Sequence, residues 1–170
     1  LPNVNLNCNA CNTSVFAKVV NFTFNFTNSE ISSIPSIFNQ AKQQMLSNEQ
    51  RYAIIANKGY AYTAADFAFL QYLKAFTLAN SANYTLTGAT SVLNKIGAYC
   101  SSLVPPLLTN TNYEYVIGGE LRQDFANETL AQAEALLNSP EVTSDSYIEA
   151  MYYGAESLAW CKAAQEFYNI

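Results

Sequence analysis

The chain has 170 residues, half of them apolar and only 12% charged, with no histidine and a net charge of -5. That length fits one domain able to bury a core of its own, and the missing imidazole excludes Ser-His, Cys-His and His-bearing metal designs. The eight Lys and Arg stand singly, so no basic patch is present to hold a phosphate backbone or an anionic membrane, and nucleic acid is not an expected partner.

The first fourteen residues, LPNVNLNCNACNTS, have no helical period and read as coil. The start at Leu1 is what a cleaved leader or a trimmed chain would leave. Four cysteines, Cys8, Cys11, Cys100 and Cys161, are an even count, which in a secreted chain reads as disulfides. The favoured pairing is Cys8–Cys11 with Cys100–Cys161, and the two crossed connectivities stay open. CNAC lacks the βαβ setting of a redox motif and the following His of a haem attachment. A four-thiolate zinc site would want a second CxxC. No metal and no cofactor is expected.

Residues 15 to 27 alternate, with Val20, Phe22, Phe24 and Phe26 apolar and Asn21, Thr23, Asn25 and Thr27 between them. This is the period of a strand or extended arm. Asn21 and Asn25 each open an N-glycosylation triplet, as do Asn12, Asn83 and Asn127. Five acceptors in a low-charge, Asn-rich chain point to a secreted or cell-surface glycoprotein carrying N-linked glycans.

From residue 29 the pattern turns helical. SSIPSIFNQAKQQMLSN has a Ser before Pro35, a residue at home in a first turn, with Ile34, Phe38, Ala41 or Met45, and Leu46 on one face. SNEQRYAIIANKGYAY opens a second helix with Ser47 and Gln50 at capping-box spacing, and Gly59 either ends it or is absorbed. TAADFAFLQYLKAFTLAN repeats that spacing at Thr63 and Asp66. It is apolar on most sides through Phe67, Phe69, Leu70, Leu73, Phe76 and Leu78, the mark of a central helix. NSANYTLTGAT reads as a surface loop. The next helix carries Val92, Ile96, Tyr99, Cys100 and Leu103 on one side and stops at Pro105-Pro106. Residues 113 to 117, YEYVI, alternate like a strand, and Gly118-Gly119 reads as a break. From Glu120 the helical period places Leu121, Phe125, Ala133, Leu136 and Leu137 inward, ending at Asn138-Ser139-Pro140. A last helix over 143 to 170 turns Ile148, Met151, Ala155, Leu158, and Cys161 or Lys162 inward. The expected architecture is mainly α: a disulfide-tethered coil and strand over 1–28, then a single helical-bundle-like domain of five or six helices over 29–170. No run of about 18 apolar residues occurs, so no transmembrane segment is expected.

Carboxylates are the remaining carriers of chemistry. Glu120, Asp124 and Glu128 share one face at i, i+4 and i+8. They would serve glycoside hydrolysis only if two faced each other across a cleft, and a hard cation only if they converged. The expectation is a solvated face, with no catalytic residue. Tyr153 and Trp160, seven apart, are either an exposed aromatic patch or a second buried side. The strand at 15–27 needs backbone partners. It pairs with residues 113–117, lies as an arm over the helices, or adds to the sheet edge of another subunit, where Phe22, Phe24 and Phe26 would fill a groove. The expected function is a secreted, disulfide-stabilised structural protein, a filament, sheath or surface-layer subunit, whose partners are copies of itself or another cell-surface protein. The alternatives are an extracellular carbohydrate-active enzyme using carboxylates and a monomeric inhibitor or ligand-binding module.

Overall fold

The structure, a computed structural model, describes the backbone from residue 15 and side chains from residue 18, both to residue 169. The expected Cys8–Cys11 pair and the acceptor Asn12 lie outside the described residues. Six α-helices follow in order: α1 Val15–Ser33, α2 Asn39–Asn57, α3 Ala61–Ala79, α4 Leu86–Ser101, α5 Tyr113–Leu137 and α6 Ser144–Tyr168. The mainly α class and the number of helices are as expected, and no strand forms among the described residues. The helices gather into two compact units, α1 to α3 and α4 to α6, dividing between Ala79 and Asn80. The boundary expected after residue 28 falls inside α1.

In the first unit, the stretch expected as a strand is helix. Val20, Phe24, Thr27, Asn28 and Ile31 are all buried, at spacings of three and four that only a helix brings to one side. The alternation misleads because it already contains two i, i+4 pairs, Val20 with Phe24 and Phe22 with Phe26. A helix also satisfies its own backbone, which a lone strand does not. The β-branched residues fit by bonding backward. Thr23 Oγ1 donates to Val19 O at 2.9 Å, and Thr27 Oγ1 lies 2.8 Å from Thr23 O and 3.0 Å from Ala68 O of α3.

The two helices expected over 34–58 are one. Pro35 stands ahead of a 3-10 turn at Ser36–Phe38, and α2 then runs unbroken. Ser47 and Gln50 therefore sit mid-helix, because Met45, Glu49, Ala53 and Ala56 carry the buried period straight through them. Gly59, at φ 99°, turns the chain after α2, a backbone that side chains resist. α3 packs on both α1 and α2, as its apolar character implies. It buries Ala61, Ala64, Ala68 and Ala75 together with Gln71, Tyr72, Leu73 and Phe76, while Phe67 and Leu70 stay exposed.

The core of this unit has two apolar ends. One holds Val20, Phe24, Ala53, Ala56, Ala61, Ala64 and Ala68. The other holds Ile31, Ile34, Met45 and Ala75. Between those ends each helix also buries polar side chains, Thr27 and Asn28 on α1, Glu49 on α2 and Gln71 on α3, beside the apolar Phe26, Tyr72 and Leu73.

In the second unit, the loop expected over 80–90 contracts to a 3-10 turn and a cap, with Thr85 Oγ1 accepting from the Gly88 N–H at 3.1 Å. α4 buries Ala89, Leu93, Ile96 and Cys100. α5 begins at Tyr113 and takes in the whole of YEYVIGG, so residues 113–117 are no partner strand. Gly118 and Gly119 do not break it. A Cβ on Gly118 would meet the Phe167 ring at 2.9 Å, and one on Gly119 would overlap the Tyr168 ring; the two glycines seat the aromatic end of α6. Tyr168 Oη donates to Gln123 Oε1 at 2.9 Å and Ser157 Oγ to Ala126 O at 2.7 Å. These pairings run α5 and α6 antiparallel, over about 37 Å. Thr143 and Ser146 form a reciprocal cap at the start of α6. α5 buries Val116, Gly119, Ala126, Ala133 and Leu137, and α6 buries Ala150, Met151, Ala155, Ser157, Ala159 and Ala164, while Gly154 of α6 lies against Leu93 and Ile96 of α4. Leu121, Phe125 and Ile148, expected inward, are exposed instead, and α5 meets α6 at Gly118, Gly119 and Ala126. Cys100 of α4 and Cys161 of α6, both buried, form a disulfide with Cα atoms 5.4 Å apart.

Candidate interaction faces

α5 carries an apolar row on its outer side. Tyr113, Ile117, Leu121 and Phe125 are spaced four apart and are between 41 and 53% exposed, along about 18 Å of helix. Phe125 leans on Trp160 of α6, ring centroids 5.6 Å apart, and Trp160 Nε1 donates to Glu156 Oε1 at 3.4 Å. The loop before α5 extends the row. Leu107 and Leu108 are exposed, and the Asn112 side chain ties that loop to the start of the helix, donating to Leu107 O at 3.0 Å and accepting from Thr109 N at 2.7 Å.

Acids border this row. Glu120, Asp124 and Glu128 are exposed, as is Glu114. Arg122, on the same helix, donates from Nη1 to Gly118 O at 2.7 Å, and its guanidinium stacks 3.9 Å from the Phe167 centroid. The three carboxylates expected as a solvated face thus lie on one exposed side of one helix. A shallow groove on α4 is lined by Thr87, Thr90, Ser91, Asn94 and Lys95 among others, with no carboxylate in its wall.

The other site acceptors are spread out. Asn25 and Asn127 are exposed, and Asn21 and Asn83 half-buried. Asn21 and Asn25, four apart, share a face of α1. The expected assembly residues are not together on a free surface. Phe24 is buried, Phe26 packs on Tyr72 with centroids 4.1 Å apart, and only Phe22, stacked on Phe26 at 5.6 Å, is half-exposed. Tyr153 and Trp160 are both half-buried.

The buried polar layer of the first unit was not foreseen. Glu49 Oε1 accepts from Gln71 Nε2 at 2.8 Å, Gln71 Nε2 also reaches Met45 O at 3.1 Å, and Gln71 Oε1 accepts from Asn48 Nδ2 at 3.1 Å. Glu49 Oε2 and Asn28 Oδ1 have no hydrogen-bond partner. Burial pushes the Glu49 carboxyl from 4.5 up to about 7, against the opposing pull of the Gln71 hydrogen bond. The signal was in the sequence: Glu49 falls on the inner spacing with Met45, Ala53 and Ala56. Below pH 4.5 the group is neutral in both folded and unfolded chains. Between there and about 7 the unfolded chain ionises while the folded one keeps its proton. Stability therefore falls across that window, by roughly 3 kcal/mol. Glu49→Gln keeps an oxygen for Gln71 and has no proton to lose. Urea unfolding at pH 5, 6, 7 and 8 should show the wild type weakening and the variant flat, and a wild type flat over the same range would contradict the raised carboxyl.

Among the described residues no three Cys, Asp or Glu gather as metal ligands, and no helix is long and apolar enough to cross a membrane. Comparison with protein-family models, with curated proteins and with solved structures finds no match for this chain.

Proposed function

We propose that the protein is a secreted, N-glycosylated, disulfide-stabilised structural protein of the cell surface, a filament, sheath or surface-layer subunit working through protein–protein contacts. The observation that carries this reading is the outer face of α5. Four large apolar side chains in register, bordered by acids and continued by Leu107 and Leu108, form the kind of exposed patch that marks a contact surface. The Cys100–Cys161 disulfide fits an oxidising compartment. The contact does not use residues 15 to 27 as a donated strand, since Phe24 and Phe26 already fill the core of their own unit.

The test is the size of native protein in solution over a wide concentration range, with negative-stain microscopy. Wild-type protein should form regular assemblies. Replacing Ile117 and Leu121 by serine should reduce them to monomers with an unchanged unfolding midpoint, because neither side chain is in the core. Wild-type protein that stays monomeric at every concentration would end this reading.

A further inference from the structure

The two units carry opposite charge. Residues 1–79 hold five Lys or Arg and three Asp or Glu, a net of +2. Residues 80–170 hold three and ten, a net of -7. The basic side has its own surface row. Arg51 and Ile54 of α2, and Lys58, which caps it, are exposed, at spacings of three and four, on the side opposite the buried Met45, Glu49, Ala53 and Ala56. Tyr60 and Tyr62, 65 and 70% exposed, follow directly.

We infer that copies of this chain join head to tail, the α5 face of one copy seated on the α2 face of the next. The inference rests on the assembly reading and names its contact. The two faces match in kind: an apolar row bordered by acids against apolar and aromatic side chains bordered by bases. They also match in length. Arg51 and Lys58 are about 10 Å apart along their helix, and Glu120 and Glu128 about 12 Å. Ile54 lies between its bases as Leu121 and Phe125 lie among their acids. Pairing α5 with α5 would set Glu120, Asp124 and Glu128 against themselves, and like charges across an interface are strongly unfavourable. An anionic lipid surface is repelled for the same reason. A contact between two different faces leaves one of each free on every pair, so it propagates unless its rotation closes a ring.

Charge exchange tests the contact. One variant carries Glu120→Lys, Asp124→Lys and Glu128→Lys; a second carries Arg51→Glu and Lys58→Glu. All five positions are exposed, and thermal unfolding checks that each variant folds; where a reversal fails to fold, E120Q/D124N/E128Q and R51Q/K58Q replace it. By light scattering and sedimentation, each reversed variant alone should associate at least about tenfold more weakly than wild type. An equal mixture of the two should assemble again, as should a chain carrying all five changes. With the neutral variants, weakened association in either one is the expected result. Raising salt from about 50 to 500 mM should shorten wild-type assemblies. Wild-type assemblies unaffected by both sets of changes, or reversed variants that the mixture fails to rescue, overturn this contact and leave the assembly reading standing. A wild-type monomer at all concentrations overturns both.

Discussion

Phe24→Ala is expected to cost about 3–5 kcal/mol of unfolding free energy. Phe24 is 1% exposed and lies in one cluster with Val20, Ala53, Ala56, Ala61, Ala64 and Ala68. The buried members of that cluster on α2 and α3 are alanines, which have no longer rotamers to swing into the space, and the larger Tyr52 and Ile55 pack against it only partly buried. The cavity should therefore stay open, and the cost should lie at the upper end. If the wild type stands near the low end of the typical domain stability of about 5–15 kcal/mol, that loss unfolds a large fraction of the protein. Phe22→Ala, at the half-exposed neighbour, should cost much less. Urea unfolding followed by far-ultraviolet circular dichroism measures both. A Phe24→Ala midpoint equal to that of wild type would mean α1 is not docked on α2 and α3. A strand donated to a neighbour makes the opposite prediction, in which Phe24→Ala abolishes assembly and leaves the monomer's stability alone.

Removing the Cys100–Cys161 disulfide is the second large effect. The bridge spans 61 positions of chain, and the chain-entropy relation gives about 4 kcal/mol for a loop of that size. Both cysteines are buried, so alanine fits the site better than serine, whose hydroxyl would need a partner. Cys100→Ala with Cys161→Ala should lower the urea midpoint, and wild type in excess dithiothreitol should fall by a similar amount. Agreement between the two places the effect in the bond itself rather than in the substituted side chains. A double variant as stable as oxidised wild type would show that the bridge restrains nothing the packing does not already hold.

The sequence was legible where one signal acted alone. The end of α4 ahead of Pro105-Pro106 and the favoured Cys100–Cys161 pairing both follow from residues that have few other uses. It misled where two periods overlapped. Val20 to Phe26 satisfies a strand over seven residues, and only the next turn, through Thr27, Asn28 and Ile31, decides for helix. Ser47 with Gln50 is a start signal locally, but the buried spacing from Met45 to Ala56 overrides it. The assumption that large apolar residues point inward failed for Leu121 and Phe125 on α5, while α3, apolar on most sides, buries Leu73 and Phe76 but not Phe67 and Leu70. α5 buries Gly119, Ala126 and Ala133, leaving Leu121 and Phe125 outside. That reversal hid the candidate face, although its acidic border at Glu120, Asp124 and Glu128 was read correctly as an exposed row. Glu49 was missed because a charged residue is by default assigned to the surface.

The placement of the disulfide has a mechanical consequence. Cys100 closes the last turn of α4, and Cys161 lies seven residues before the end of α6. Tension entering the chain before Cys100 and leaving after Cys161 passes directly through the sulfur bridge. The 60 residues between them, including all of α5 and most of α6, carry no pulling load along their backbone. The helix that bears the apolar and acidic face thus hangs in a slack loop of a covalently closed path. A subunit strained at its ends would stretch elsewhere first and keep that surface intact.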